Sequence, residues 1–167
     1  LADAFVAIED SRFYSHNGID IYGIIRAGFH AIESGKLTQG ASTITQQLLK
    51  NNVFEGWVNE EDDMAKIKRK IQEQYLAVEL EKKLTKEEIL ELYMNSINLG
   101  QGTLGVQAAS LRYFDKPVYQ LTLSECAVIA GMGGGLVIRI LQASPEVTAR
   151  LKECILQPQS EISKVRA

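Results

Sequence analysis

Apolar positions along this chain recur at helical spacing, and no segment shows the sustained alternation of a half-buried strand. Leu1, Phe5 and Ile8 form the apolar side of a first helix, and the chain breaks at Asn17-Gly18. Asp20 can cap a second helix with the stripe Ile21, Ile24, Ile25, Gly28, Phe29 and Ile32, closed by Gly35. Lys36 to Ala41 reads as a polar, glycine-containing loop, expected to be mobile. Thr43-Ile44-Thr45-Gln46 fits a capping box, and the helix after it places Ile44 and Leu48 on one side. Gln47, Lys50 and Asn51 fall on another side, at i, i+3 and i+4.

The pattern then loosens. Asn52 to Asp63 is irregular and acidic, and Met64 to Lys83 reads as one long helix. Its apolar stripe is Ile67, Ile71, Tyr75 and Val78, while Lys66, Arg69, Lys70 and Glu73 share a different face. Thr85 to Glu88 is a second capping box, opening a helix through Ile89, Leu92 and Tyr93. A Gly- and Asn-rich loop, Asn95 to Gly105, leads to a short helix, Val106 to Tyr113, stopped near Asp115-Lys116-Pro117. Thr122 to Glu125 is a third capping box, for a helix ending at Gly131. Gly135 to Leu141 could form a short β segment, and Ser144-Pro145 suggests a last helix through Val147, Leu151 and Ile155.

Composition narrows the class. With 167 residues, 46% hydrophobic and 23% charged, the chain is one domain, or one domain with a tail, and has ample material for a core. A net charge of -3 argues against a protein that coats a polyanion, so no nucleic-acid partner is expected. No signal peptide is legible at Leu1 and no apolar run is long enough to span a bilayer. The chain starts inside a helical pattern, as an excised fragment would. Cys126 reads as a small core residue; it and Cys154 make no disulfide framework, and His16 and His30 lack metal-ligand spacing.

Three groups carry candidate chemistry: Glu9 with Asp10, the polar face Gln47, Lys50 and Asn51, and the cluster Arg69, Lys70 and Glu73. Each has a plainer explanation. Adjacent acids at a helix end are usually solvated, and Arg69 with Glu73 is an ordinary i,i+4 pair worth about 0.3–0.5 kcal/mol if exposed. Together they suggest one chemistry. Two cation-bearing helices could hold a diphosphate, helped by backbone N–H groups at the start of the Thr43 helix. Two separated carboxylates could then move protons on a sugar beside that leaving group, Glu9 being the candidate acid or base beside Phe13 and Tyr14.

The order of these motifs is specific. Glu9 to Gly18 resembles the first signature of the peptidoglycan glycosyltransferase domain, found in class A penicillin-binding proteins and monofunctional transglycosylases. Gly40 to Gln47 resembles the second signature, Arg69 to Glu73 the third, Lys86 to Asn95 the fourth and Gly105 to Lys116 the fifth. The resemblance implies a mainly α, lysozyme-like helical domain with a large globular lobe and a small membrane-proximal lobe. It implies polymerisation of lipid II into β-1,4-linked glycan, with inversion at the donor anomeric carbon and release of polyprenyl diphosphate. By resemblance Glu9 is the general base and Glu73 a second carboxylate near the donor diphosphate. Lys50, Arg69 and Lys70 would bind that diphosphate. Gln47 and Asn51 would line the donor site, and Asp10, Phe13, Ser42 and Thr45 count among the substrate-binding residues. No cofactor is required, although a divalent cation can assist the diphosphate.

The implied partners are lipid II, the growing glycan strand, the membrane surface and moenomycin-type inhibitors. In a full-length protein a transpeptidase domain or the division and elongation machinery would join them, at the outer face of the bacterial cytoplasmic membrane. Neither the usual membrane anchor nor a transpeptidase domain is expected within these 167 residues. The chain departs from the family pattern at Met132 to Ala143, where the family has Gln-Asn-Pro and Tyr-Asn-Pro turns, and returns to it at Pro145-Glu146-Val147-Thr148. The expected division is therefore a glycosyltransferase domain over 1–131 and a partly divergent end of the same domain over 132–167. Val53, Phe54, Trp57 and Val58 form a candidate membrane-contacting patch. Two rivals stay open: a lysozyme-like lytic enzyme, which needs an acid but no diphosphate cradle, and a non-catalytic helical module that binds lipid II.

Overall fold

All three capping boxes form. Thr43 Oγ1 accepts from the Gln46 backbone N–H while Gln46 Oε1 accepts from the Thr43 N–H. Thr85 with Glu88 and Thr122 with Glu125 repeat the arrangement. Each box satisfies helix-end donors that would otherwise lack partners.

The structure is a computed structural model and describes residues 1–34, 41–53 and 63–133. Among these, seven α-helices follow one another: α1 (Ala2–Glu9), α2 (Ile21–Ser34), α3 (Ile44–Asn52), α4 (Asp63–Glu81), α5 (Lys86–Ser96), α6 (Val106–Phe114) and α7 (Leu123–Gly133). Short 3-10 turns lie at Phe13–Ser15 and Val118–Gln120. The only β feature among the described residues is an isolated bridge between Asn98 and Leu104. The expected mainly α architecture is what is seen. No described helix is long and apolar enough to cross a membrane.

The core lies where α3 packs on α4 and α5, and α1 on α7. Phe5, Phe13, Ile44, Ile89, Tyr93, Leu99 and Ile129 are fully buried there. Burying a side chain of this size stabilises the fold by about 1.5–3 kcal/mol. Phe5 meets Tyr93 edge-to-face, with ring centroids 5.8 Å apart, which ties α1 to α5. Cys126 is buried in α7, as its apolar surroundings suggested.

Two apolar stripes do not face this core. On α2, Ile21, Ile25, Phe29 and Ile32 are exposed, Ile32 to 84%. On α4, Met64, Ile67, Ile71 and Tyr75 are exposed as well. The inward side of α4 is instead marked by buried Glu73 and Ala77. The helices were correctly placed, but the face expected to pack inward is turned outward. Ile8 and Leu92, also read as apolar-face residues, are exposed too. α7 runs on to Gly133 and does not end at Gly131. Several expectations lie outside the described residues: the loop at 36–40, the patch residues Phe54, Trp57 and Val58, the β segment Gly135 to Leu141, the helix after Pro145, and Cys154.

Candidate active site

The site is assembled where the segment after α1 is fastened to the start of α3. Gly18 makes the close approach possible. Its φ is +90°, and a Cβ there would lie 2.6 Å from the Ala77 carbonyl carbon and oxygen on α4. Thr43 Oγ1 donates to the Gly18 carbonyl at 2.7 Å. The Asp10 carboxylate accepts from the Ile44 backbone N–H at 3.0 Å and contacts His16 Nε2 at 3.0 and 3.1 Å. A carboxylate on the first turn of α3 also suits the positive end of the helix dipole.

This fastening sets Glu9, the last residue of α1, beside α3. Gln47 Nε2 donates to Glu9 Oε2 at 3.0 Å, and Tyr93 Oη on α5 donates to Gln47 Oε1 at 3.1 Å. Burial pushes the Tyr93 phenol well above its ordinary range, and the nearby Glu9 charge pushes in the same direction. The other carboxylate oxygen, Glu9 Oε1, is buried and has no hydrogen-bond partner. Gly133 stands next to it: a Cβ on Gly133 would come within 3.0 Å of Glu9 Oε1 and of Ile97 Cδ1.

Gln47 and Gly133 also border a cleft of about 330 Å³, lined further by Ser42, Gln46, Lys50, Asn51, Glu73, Ile97 and Asn98. Glu73 is only 4% exposed. Lys70 Nζ donates to Glu73 Oε1 at 2.5 Å and to Ser42 Oγ at 3.0 Å, so α4 is tied to the segment before α3. The cleft therefore holds a buried carboxylate engaged by one lysine, with Lys50 on its wall. A smaller polar recess of about 110 Å³ is bordered by Glu9, Asp10, Ser11, Asp20, Arg26, Ser42 and Thr43. Glu9 borders this recess while its neighbours Gln47 and Gly133 border the larger cleft. Among the described residues no group of three or more His, Cys, Asp or Glu side chains converges as a metal site.

The expected residues divide by position. Glu9, Ser42, Gln47, Lys50, Asn51 and Glu73 reach one or both cavities, and Lys70 joins them through Glu73 and Ser42. Asp10 borders the recess, but its carboxylate is engaged by His16 and Ile44. Phe13 and Thr45 are fully buried and border neither cavity. Thr45 Oγ1 donates to Glu81 Oε1 at 2.5 Å; Glu81 pairs with Lys86 at 2.6 Å; and Lys86 lies 4.4 Å from the Phe13 ring centroid. Arg69 is half-buried beside Lys70, and the described lining of the cleft does not include it. Sequence reasoning did not single out Tyr93, Gly133, Arg26, Ile97 or Asn98 as site residues. Asp20 was read only as a helix cap.

A family model described as transglycosylase matches residues 1–155. The chain belongs to the transglycosylase family. Penicillin-binding protein 1A of Clostridium botulinum is 52% identical over 136 residues, covering 79% of this chain and 16% of that protein. Its Escherichia coli namesake is 52% identical over 132 residues, covering 79% of this chain and 15% of that protein. A candidate transglycosylase of Cupriavidus necator is 43% identical over 165 residues, 99% of this chain and 68% of the relative. The chain thus spans less than a fifth of the length of these penicillin-binding relatives and most of the length of the Cupriavidus one. As a member of this family it is a glycosyltransferase enzyme.

Proposed function

We propose that this domain builds peptidoglycan glycan strands from lipid II. Glu9 Oε1 takes the proton of the acceptor 4-hydroxyl as that oxygen attacks the donor anomeric carbon. The bond from that carbon to the diphosphate breaks, and its electron pair leaves with polyprenyl diphosphate. Attack opposite the leaving group inverts the centre and gives a β-1,4 linkage. The observation that carries the reading is the pairing of a buried, partnerless carboxylate oxygen on Glu9 with a lysine-bearing cleft beside it. Lys50 and Lys70, with Arg69 next to it, supply cations for the leaving diphosphate. Glu73 holds Lys70 in place from a buried position.

The outward apolar faces of α2 and α4 fit a protein that works against lipid at the outer face of the cytoplasmic membrane. The names of the relatives, which extend far beyond the matched region, fit a longer protein that also carries a transpeptidase domain. Incubating the chain with lipid II and resolving products by size tests the proposal. Long glycan supports it. Shortening of preformed glycan would show a lytic enzyme, and bound but unchanged lipid II a binding module; either result would overturn it.

A further inference from the structure

Glu9 has two oxygens in different situations. Oε2 is held by the Gln47 amide nitrogen, and Oε1 is buried, without a partner, and packs so close to Gly133 that a Cβ there would stand 3.0 Å from it. Whether Oε2 is held depends on which end of the Gln47 amide faces Glu9. A half-turn of that amide would set its oxygen against the carboxylate, acceptor against acceptor. Glu9 alone opposes that turn from one end, and the hydroxyl of Tyr93 opposes it from the other.

We propose that Tyr93 is a positioning residue for proton abstraction, fixing the Gln47 amide so that Glu9 Oε2 stays occupied and Oε1 stays the unpaired oxygen that takes the proton. The inference rests on the reading of Glu9 as the base. Three observations support it. Tyr93 is fully buried on α5, and its ring is set against Phe5 edge-on, so the hydroxyl has a fixed direction. Burial and the Glu9 charge both keep the proton on the phenol, so the group remains a donor wherever Glu9 is ionised. The hydroxyl reaches Gln47 Oε1 at 3.1 Å, and the amide nitrogen then reaches Glu9 at 3.0 Å. A donor, an amide and a carboxylate in series admit one orientation of the middle group.

The test uses Tyr93→Phe, which keeps the ring in the core and removes only the hydroxyl. Lipid II polymerisation should fall by roughly ten- to a hundredfold in kcat, the scale of a small misplacement at a reacting centre, with KM nearly unchanged. The acid limb of the kcat–pH profile should move to higher pH. A freed amide can turn its oxygen toward Glu9, which favours the protonated acid. In a Gln47→Ala background, Tyr93→Phe should cause no further loss, because the two act in series. Parent-like kcat in Tyr93→Phe overturns the proposal. So does an additive loss in the double variant, or a lowered melting temperature with the acid limb unmoved. If Tyr93→Phe does not fold, Gln47→Ala alone must show the moved acid limb, and an unmoved limb overturns the relay. Glu9→Gln is assayed alongside. Parent-like activity there removes the underlying functional reading, whereas an inactive Glu9→Gln with a parent-like Tyr93→Phe removes only the role of Tyr93.

Discussion

Replacing Phe29 and Ile32 on α2 with serine should detach the domain from lipid without unfolding it. Both side chains lie on the outward stripe, 70% and 84% exposed, so neither contributes much to the core. Full transfer of such a side chain from water to an apolar medium is worth about 1.5–3 kcal/mol. Scaled by the exposed fractions, each residue could gain about 1–2 kcal/mol on entering the acyl boundary. Losing both should therefore cost about 3 kcal/mol of binding, roughly a hundredfold in partition coefficient at 1.4 kcal/mol per decade. Sedimentation with liposomes measures the partition, and thermal denaturation checks the fold, which should shift by no more than about 0.5 kcal/mol. Unchanged partition in the double variant would show that α2 does not touch the bilayer. A large fall in melting temperature would show that the stripe is covered in solution. Either result refutes the reasoning.

Glu9→Gln should lower polymerisation of lipid II by about 10²–10⁴-fold with circular dichroism unchanged; a folded variant at the parent rate would remove Glu9 as the base. Lys50→Ala should weaken binding of a diphosphate-bearing donor, measured by calorimetry, while melting moves little, since Lys50 is exposed at the end of α3. Gly18→Ala should lower the unfolding free energy, read from denaturant titration, by about 3 kcal/mol, because the added Cβ meets Ala77 backbone at 2.6 Å and sits at a positive φ. For Glu125, burial raises the carboxyl, but hydrogen bonds from Lys116 and Thr122 outweigh it and hold the group below the usual carboxylate range. The folded value lies below the unfolded one, so the stabilisation is present above the ordinary carboxylate pKa and is lost as pH falls through the lowered value. Glu125→Gln should flatten that part of the melting-temperature profile, and an unchanged acid slope would contradict the assignment.

The helix starts were legible because a capping box is a local signal: two side chains three residues apart answer each other's backbone. Thr43, Thr85 and Thr122 needed no tertiary information. The direction of α2 and α4 was not legible for a physical reason. Periodicity says which residues share a face, not which face meets the core. On α4 the inward side carries a carboxylate, Glu73, and a small residue, Ala77, and both look like surface in a hydropathy pattern. The candidate site is readable through the order of its signatures, which carry Glu9, Gln47, Lys70 and Glu73. What supports it is not. Tyr93 shares helical spacing with Ile89, which marks it as core, and its hydroxyl answers a side chain 46 residues away. Gly133 matters through the Cβ it lacks, and the family-like rhythm of the sequence fails in that same stretch.

α4 joins these two aspects of the domain in one element. One side of it gives Glu73, with Lys70 bound to it, to the cleft, and another presents Ile67, Ile71 and Tyr75 outward. A helix with its side chains is about 10–12 Å across, so the side of α4 that reaches the cleft and its apolar stripe lie within one helix width of each other. A polyprenyl diphosphate has the same adjacency, a charged group joined directly to a hydrocarbon chain. An enzyme that drew such a substrate wholly into water would have to expose that chain, at about 0.8 kcal/mol for each CH₂. An enzyme whose cleft and lipid-facing surface share one helix can reach the diphosphate while the chain stays in the bilayer. On this reading the outward stripes of α2 and α4 and the lysines of the cleft answer the same substrate. The apolar face that the core leaves uncovered is then part of how the diphosphate is reached.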